Sequence, residues 1–317
     1  MKNFIKKILI FITISTIFYI IAVIFFASAF GTNQKNLKFN PNKSWTKQKL
    51  KEAKDFEPVD ILFIGSSHAY RGYDVRLWRS IGKSFNLGTA GQTPVQTLYL
   101  LKKFYKNLNP KFVIIDIYFP LFESDGIESS VDILSNFYDL SNYKLFLLSP
   151  NPIVLNTLIY SYFYELKNRI GLNNNKKNED YFNENDIYIT GGFVQIKNQY
   201  YNSNEISNKR NIKMSSNQTR AFERIIRFLK KNKIKYIIVH APITSKEFSS
   251  YANVTELDSY FKKFGIYINF NEVPLPLFDD IHFYDKHHLN QYGVNIFNKR
   301  LIEYFISLFP EIYKERK

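Results

Sequence analysis

A serine pair at the end of an apolar run, five histidines and no cysteine bound the chemistry open to this chain of 317 residues. The stretch "DILFIGSSHAYRGYD" (60–74) is apolar up to Ile64, then passes through Gly65 into Ser66, Ser67 and His68. A serine hydroxyl is a weak nucleophile; it needs a base, and the base needs an acid to orient it. His68 adjoins the serines, where a strand or turn tends to point it away, so it reads as a strand-end structural or pocket residue rather than the base. His240 closes a later apolar run, and His282, His287 and His288 fall in "DDIHFYDKHHLNQYG". Asp285 and His288 are three residues apart, an offset that lets a carboxylate on a helical or turn-like loop reach the imidazole and hold its tautomer. Ser67, His288 and Asp285 are the candidate nucleophile, base and acid; His287 is the rival base. Taken singly, Gly-Ser-Ser is a common turn and Asp-x-x-His a common surface pair. Together they supply every role that acyl transfer requires. His287 and His288 lack a matching carboxylate or cysteine set elsewhere, so no metal and no cofactor is expected.

These residues need a scaffold, and the hydrophobic pattern describes one. Val59 to Ile64 reads as a compact strand, and Phe85 to Leu87 as a short one ending at Gly88. Thr93 reads as the cap of a helix with Pro94 at its first position. "KFVIIDIYFP" is nearly continuous in apolar residues, as a strand covered on both faces should be, and Asp116 lies at its end. From Asn217 a helix with Phe222, Ile225, Ile226 and Leu229 on one face leads into "KIKYIIVHAP"; "GIYINF" is a fifth strand. Asn290 to Phe309 is an amphipathic helix. Strands alternating with helices predict an α/β fold, a three-layer α/β/α sandwich around a mostly parallel, flavodoxin-like sheet. Such sheets bind ligands at the carboxyl ends of their strands, where Gly65-Ser66-Ser67 stands.

Lys2, Lys6 and Lys7 precede an uncharged run from Ile8 to Phe30, long enough to cross a hydrocarbon core of ~30 Å. The lysines predict a cytoplasmic N-terminus and an extracytoplasmic body. Ala27-Ser28-Ala29 would also suit signal cleavage, but the run is long for a signal peptide, so residues 1–30 are expected to be a retained single-pass anchor in the cell membrane. Residues 31–57, polar and lysine-rich, read as a linker with a short helix, and 58–317 as one domain interrupted at about 121–215. That insertion is aromatic-rich and contains the polar stretch "NNNKKNEDYFNENDI" (173–187), expected to be a mobile loop. The net charge is +15. Without zinc spacing, a helix-turn-helix or an aromatic RNA-binding box, no nucleic-acid partner is expected; an anionic membrane or polymer suits the charge better.

In these blocks the chain resembles the SGNH (GDSL-like) hydrolase superfamily. "ILFIGSSH" is similar to the first block, with Ser67 at the nucleophile and Ser66 where the family often has Asp. "FNLGTAGQT" is similar to the second, with Gly91 at the position whose N–H joins that of Ser67 in the oxyanion hole. "YDKHHLNQYG" is similar to the last, with Asp285 and His288 as acid and base. The resemblance covers 58–118 and 217–309. It departs at the third block, where the family's Gly-x-Asn-Asp is replaced by "IIDIYFP", so one oxyanion donor is missing or comes from elsewhere. It implies a serine esterase or O-acyltransferase. The anchor and the "GSSH" form resemble the membrane-anchored branch that assists in acylating alginate and teichoic acid. That branch implies an acylated polysaccharide or cell-wall polymer as substrate and a membrane-bound O-acyltransferase as partner. The alternative is a catalytically impaired module that binds glycan or such a partner.

Overall fold

Runs of branched and aromatic residues too short for helices alternate here with amphipathic stretches, and each folds as its pattern requires. The structure is a computed structural model describing residues 1–41, 45–172, 185–197, 199–202, 208–310 and 312. In chain order come α1 (Lys2–Phe30), β1 (Asn33–Gln34), β2 (Leu37–Lys38), α2 (Thr46–Asp55), β3 (Ile61–Ile64) and α3 (Ser67–Gly72). Next are β4 (Ser84–Asn86), α4 (Pro94–Leu108), β5 (Phe112–Asp116), α5 (Ile127–Asn136), α6 (Tyr143–Leu148) and α7 (Pro152–Arg169). β6 (Asp186–Ile189), β7 (Phe193–Ile196), α8 (Ser216–Lys231), β8 (Lys235–His240), α9 (Ser245–Ser249) and α10 (Val254–Lys262) follow. Last are β9 (Tyr267–Asn269), α11 (Asp279–His282) and α12 (Gln291–Leu308). The chain divides into two units, Met1–Ser44 with Ser130–Asp180, and Trp45–Ser129 with Tyr181–Lys317. Of the polar stretch 173–187, residues 173–184 lie outside the described residues.

The second unit carries the sheet, in the order β4-β3-β5-β8-β9 with every pairing parallel. Its strands are apolar at nearly every position because helices cover both faces. Ile61, Phe63, Phe112, Ile114, Ile237 and Val239 form one face and join a buried cluster with Phe297, Leu301 and Phe305 of α12. The two-residue period turns Leu62, Ile64, Val113, Ile115 and Ile238 the other way, and these too are buried, where α4 and α8 pack against β3 and β8. α8 buries Phe222, Ile225, Ile226 and Leu229, and its cap Ser215 accepts from the N–H of Gln218. Thr93 does stand at the start of α4 with Pro94 behind it, but its hydroxyl donates to the Gln96 side chain instead of accepting from a backbone N–H.

One buried amide joins the strand-end helix to the last helix. Asn298 of α12 donates to the carbonyl of Gly72 at the end of α3 (2.7 Å) and accepts from the indole N–H of Trp78 (2.9 Å). Both bonds are made away from water, so losing them leaves partners that nothing can solvate.

The first unit is built on α1, the one helix among the described residues long and apolar enough to cross a membrane, with a mean hydropathy of 2.8 over its most apolar 18 residues. The β1–β2 hairpin and α7 pack against its C-terminal part around Ala27, Leu37 and Phe39, with Val23, Tyr160 and Tyr164 at the margin. α7 starts at Asn151, whose side chain accepts from the N–H of Ile153 (2.8 Å), with Pro152 at the first position.

The Asn298 bonds generate a stability prediction. Asn298→Leu, close in size but unable to bond, should cost about 2–4 kcal/mol, from two unpaired buried partners. Urea unfolding of the full chain in detergent, followed by tryptophan fluorescence, reads it directly; an unchanged midpoint would remove this link between α3 and α12.

Candidate active site

The turn after β3 is shaped by two glycines. Gly65 has φ +151, and a Cβ there would stand 2.8 Å from Cβ of Asp116 on the neighbouring strand. A Cβ on Gly88, in the turn after β4, would meet the carbonyl of Ser66 at 2.7 Å, so only glycine lets the two turns close together. Ser66, 2% exposed, spends its hydroxyl accepting from the N–H of His68 (3.2 Å) as the cap of α3. Ser67 is therefore the first residue of α3. Its own N–H lies among those at a helix start that have no partner within the helix. Asn86 holds the far end of α3, donating to the carbonyls of Ala69 (2.7 Å) and Tyr73 (3.1 Å).

The second loop comes from the opposite end of the sequence. Asp285 Oδ1 accepts from the N–H groups of His287 (2.9 Å) and His288 (2.8 Å), which fixes the turn. Its Oδ2 accepts from Nδ1 of His288 at 2.8 Å. A carboxylate only accepts, so Nδ1 carries the proton and Nε2 presents its lone pair. That lone pair faces Ser67 Oγ at 2.8 Å. Asn290 then caps α12, accepting from the N–H groups of Tyr292 (3.1 Å) and Gly293 (3.2 Å), so the base sits two residues from a pinned helix start. Ser67, His288 and Asp285 are thus brought together in one hydrogen-bonded chain. Burial works to raise Asp285, but the bond to His288 and the nearby imidazoles prevail and hold it at about 2. His287 lies apart from this chain; its Nδ1 is 3.6 Å from Asp285 Oδ1.

Gly91 stands in the turn between β4 and α4 with φ +56, and a Cβ there would crowd the Glu128 carboxylate at 3.1 Å. At the third block, β5 ends at Asp116, and Ile117 and Tyr118 follow it. Tyr73 donates to Asp116 at 2.9 Å, and burial, outweighing that bond, pushes the carboxyl up to about 7.

The sequence reading makes His68 a strand-end structural or pocket residue and turns it from the serine; the structure places its ring at the site. In α3 consecutive residues differ by about 100° around the axis, not the half-turn of a strand, so His68 and Ser67 share one end of the helix. The His68 ring stacks on Tyr118 with centroids 3.9 Å apart and lies 4.8 Å from the ring of His288. Tyr284 stacks on His288 at 5.4 Å. Tyr118 belongs to this wall and was missed; its position two residues beyond a strand-end carboxylate was the available signal. His68 Nε2 is buried without a hydrogen-bond partner. Among the described residues, His68, His287 and His288 form the one cluster whose nitrogens, all within 4.8 Å, could hold a metal ion. Zinc requires ~2.0–2.1 Å to each nitrogen, and both nitrogens of His288 are already engaged by Asp285 and Ser67. A metal and the Ser67–His288 bond would therefore compete.

No family model matches the sequence, and no curated protein matches it. Among solved structures, the chain is similar to a presumed acylhydrolase from Bacteroides fragilis at 12% identity and a TM-score of 0.40, covering 87% of this chain and 100% of that one. It is also similar to a GDSL-like lipase from Bacteroides thetaiotaomicron at 14% identity and a TM-score of 0.38, covering 83% of this chain and 98% of that one.

The imidazoles around the site make stability depend on pH. Burial first, then the neighbouring His288, lowers His287 to about 4; burial lowers His240 to about 3; and burial with the surrounding histidines lowers His68. Unfolded, each binds a proton below its ordinary value of 6.5; folded, each stays neutral well below that. Between about pH 6.5 and 4 these three groups hold more protons unfolded, so acid destabilises the fold by up to about 1.4 kcal/mol per pH unit for each, while Asp116, raised to about 7, is protonated only when folded and offsets one of the three. Urea midpoints of the full chain should fall on going from pH 7 to pH 5. His240→Leu should flatten that slope, and an identical slope in the variant would discard His240 as a contributor.

Proposed function

We propose that the chain is an extracytoplasmic serine esterase or O-acyltransferase of the SGNH type, tethered to the cell membrane by α1. The observation that carries this reading is the chain Asp285 Oδ2–His288 Nδ1, His288 Nε2–Ser67 Oγ, each link 2.8 Å. Ser67 Oγ attacks an ester carbonyl while its proton passes to His288 Nε2, and Asp285 stabilises the imidazolium. The N–H groups of Ser67 and Gly91 are assigned to the oxyanion. His288 then gives its proton to the departing alcohol, leaving an acyl group on Ser67. Water or a sugar hydroxyl, deprotonated by His288, removes it. Substrate and partner are assigned as an acylated cell-surface polysaccharide and a membrane-bound acyl-transfer protein. The tether raises the local concentration of such a partner, and the +15 charge favours an anionic surface. One observation favours the alternative of a glycan- or partner-binding module: the strand-end "IIDIYFP" offers no asparagine as an oxyanion donor, a loss worth about 10²–10³ in rate.

Fluorophosphonate labelling separates the two. Wild type and Ser66→Ala should label, and Ser67→Ala and His288→Ala should not. With an ester substrate, Ser67→Ala, His288→Ala and the double variant should all lose on the order of 10⁴–10⁶ in kcat, because members of one triad act as a unit. Wild type that neither labels nor turns over would leave the binding module. For the biological task, gene deletion should lower ester-linked acyl groups on purified surface glycan measured by NMR; an unchanged pattern rejects that role.

A further inference from the structure

Three imidazoles gather beside Ser67, and acyl transfer uses only one of them. One nitrogen each from His68, His287 and His288 lies within 4.8 Å of the other two. His68 Nε2 and His287 Nδ1 are both buried without a hydrogen-bond partner. A buried polar atom left unpaired is costly, and two of them on neighbouring rings call for a ligand between them. His240 makes the contrast. Its two nitrogens are also unpartnered, but it is fully buried against Phe119 and belongs to no such cluster among the described residues.

A ligand here must reach the rings and suit nitrogen donors. The side chains of His287 and His288 are 26% and 10% exposed, so the cluster is open to solvent on their side. His68 is held in place by its stack on Tyr118. Sets of neutral imidazoles suit first-row divalent cations, and three nitrogens with a fourth position left for water is an arrangement zinc favours. Nitrogens bound to one zinc at ~2.0–2.1 Å stand about 3.3 Å apart, so the widest pair here closes by at most about 1.5 Å, within the reach of side-chain torsions. His288 Nδ1 already donates to Asp285, the kind of carboxylate partner that a metal-bound imidazole usually has. Nε2 is therefore its ligand atom, and the same carboxylate sets a negative charge against the cation.

We propose that His68, His287 and His288 form an inhibitory Zn²⁺ site, in which the metal takes the Nε2 lone pair of His288 in place of Ser67. Ser67 then keeps its proton, because its base is occupied, and the site is restored when the metal leaves. The inhibition rests on the esterase or acyltransferase reading; the binding of zinc does not.

The full chain in detergent, without a histidine tag and stripped by chelator, is titrated with Zn²⁺ by calorimetry and with Co²⁺ by visible absorption. One Zn²⁺ per chain should bind with micromolar or tighter affinity, and cobalt should show the intense bands of a four-coordinate site. His68→Phe, which keeps a ring to stack on Tyr118, and His287→Phe should each weaken zinc by more than the ~10–100-fold that loss of an outer-shell partner costs. In fluorophosphonate labelling, zinc should block wild type and chelator should restore it, while His287→Phe should label with or without that zinc. Equal zinc affinity in wild type and both variants means adventitious surface binding only, and overturns the site. An absence of saturable binding at micromolar zinc leaves water between the rings, and also overturns it. Binding that needs both histidines but spares labelling overturns the inhibition. Wild type that fails to label in chelator rejects the esterase reading alone, and calorimetry on the two variants still decides the metal site.

Discussion

The 2.8 Å approach of Ser67 Oγ to His288 Nε2 joins residues 221 apart in sequence, and most of the second unit bears on keeping it. A hydrogen bond tolerates only a few tenths of an ångström, so both ends must be anchored. Ser67 is held by the glycine-dependent turn after β3 and by Asn86 at the far end of α3. His288 is held by Asp285 on one side of its loop and the Asn290 cap on the other. Asn298 then ties α12 to α3 directly, linking the helix that begins at Ser67 to the helix that follows the His288 loop.

Asp285 divides its two carboxylate oxygens between the loop and the imidazole. Its Oδ1 takes two backbone N–H groups, and its Oδ2 takes the imidazole. The first pair fixes the loop geometry, which leaves the second oxygen already aimed at the imidazole. Around it, His68, His287, Tyr118 and Tyr284 form an aromatic wall whose histidines stay uncharged, because burial penalises the imidazolium. A neutral wall leaves the Ser67–His288–Asp285 chain as the place where charge can develop.

The two units bury apolar surface in different ways. The second buries branched and aromatic strands between helices. The first gathers the hairpin and α7 on a helix whose outer residues stay exposed along most of its length. Its side-chain amide and hydroxyl beside that helix are satisfied internally, by Tyr19 and by the carbonyls of Asn36 and Lys38.

Much of this was legible in the sequence because it is local. Strands β3, β5 and β8 announce themselves as continuous apolar runs, α8 and α12 as periodic stripes, and the Asp285–His288 offset as a turn able to orient an imidazole. The meeting of Ser67 with His288 followed from the parallel order of the strands and the habit of such sheets of gathering loops at their carboxyl ends. What no local pattern carried was side-chain direction across the gap. Whether residue 67 begins a helix or continues a strand decides whether His68 faces the site, and that depends on Ser66 being taken up as a cap and on Gly88 packing against its carbonyl. The packing of α7 on α1 was equally invisible, since it pairs Tyr19 with Asn156, 137 residues away. Periodicity says which face of a helix is apolar; only the folded chain decides what that face meets.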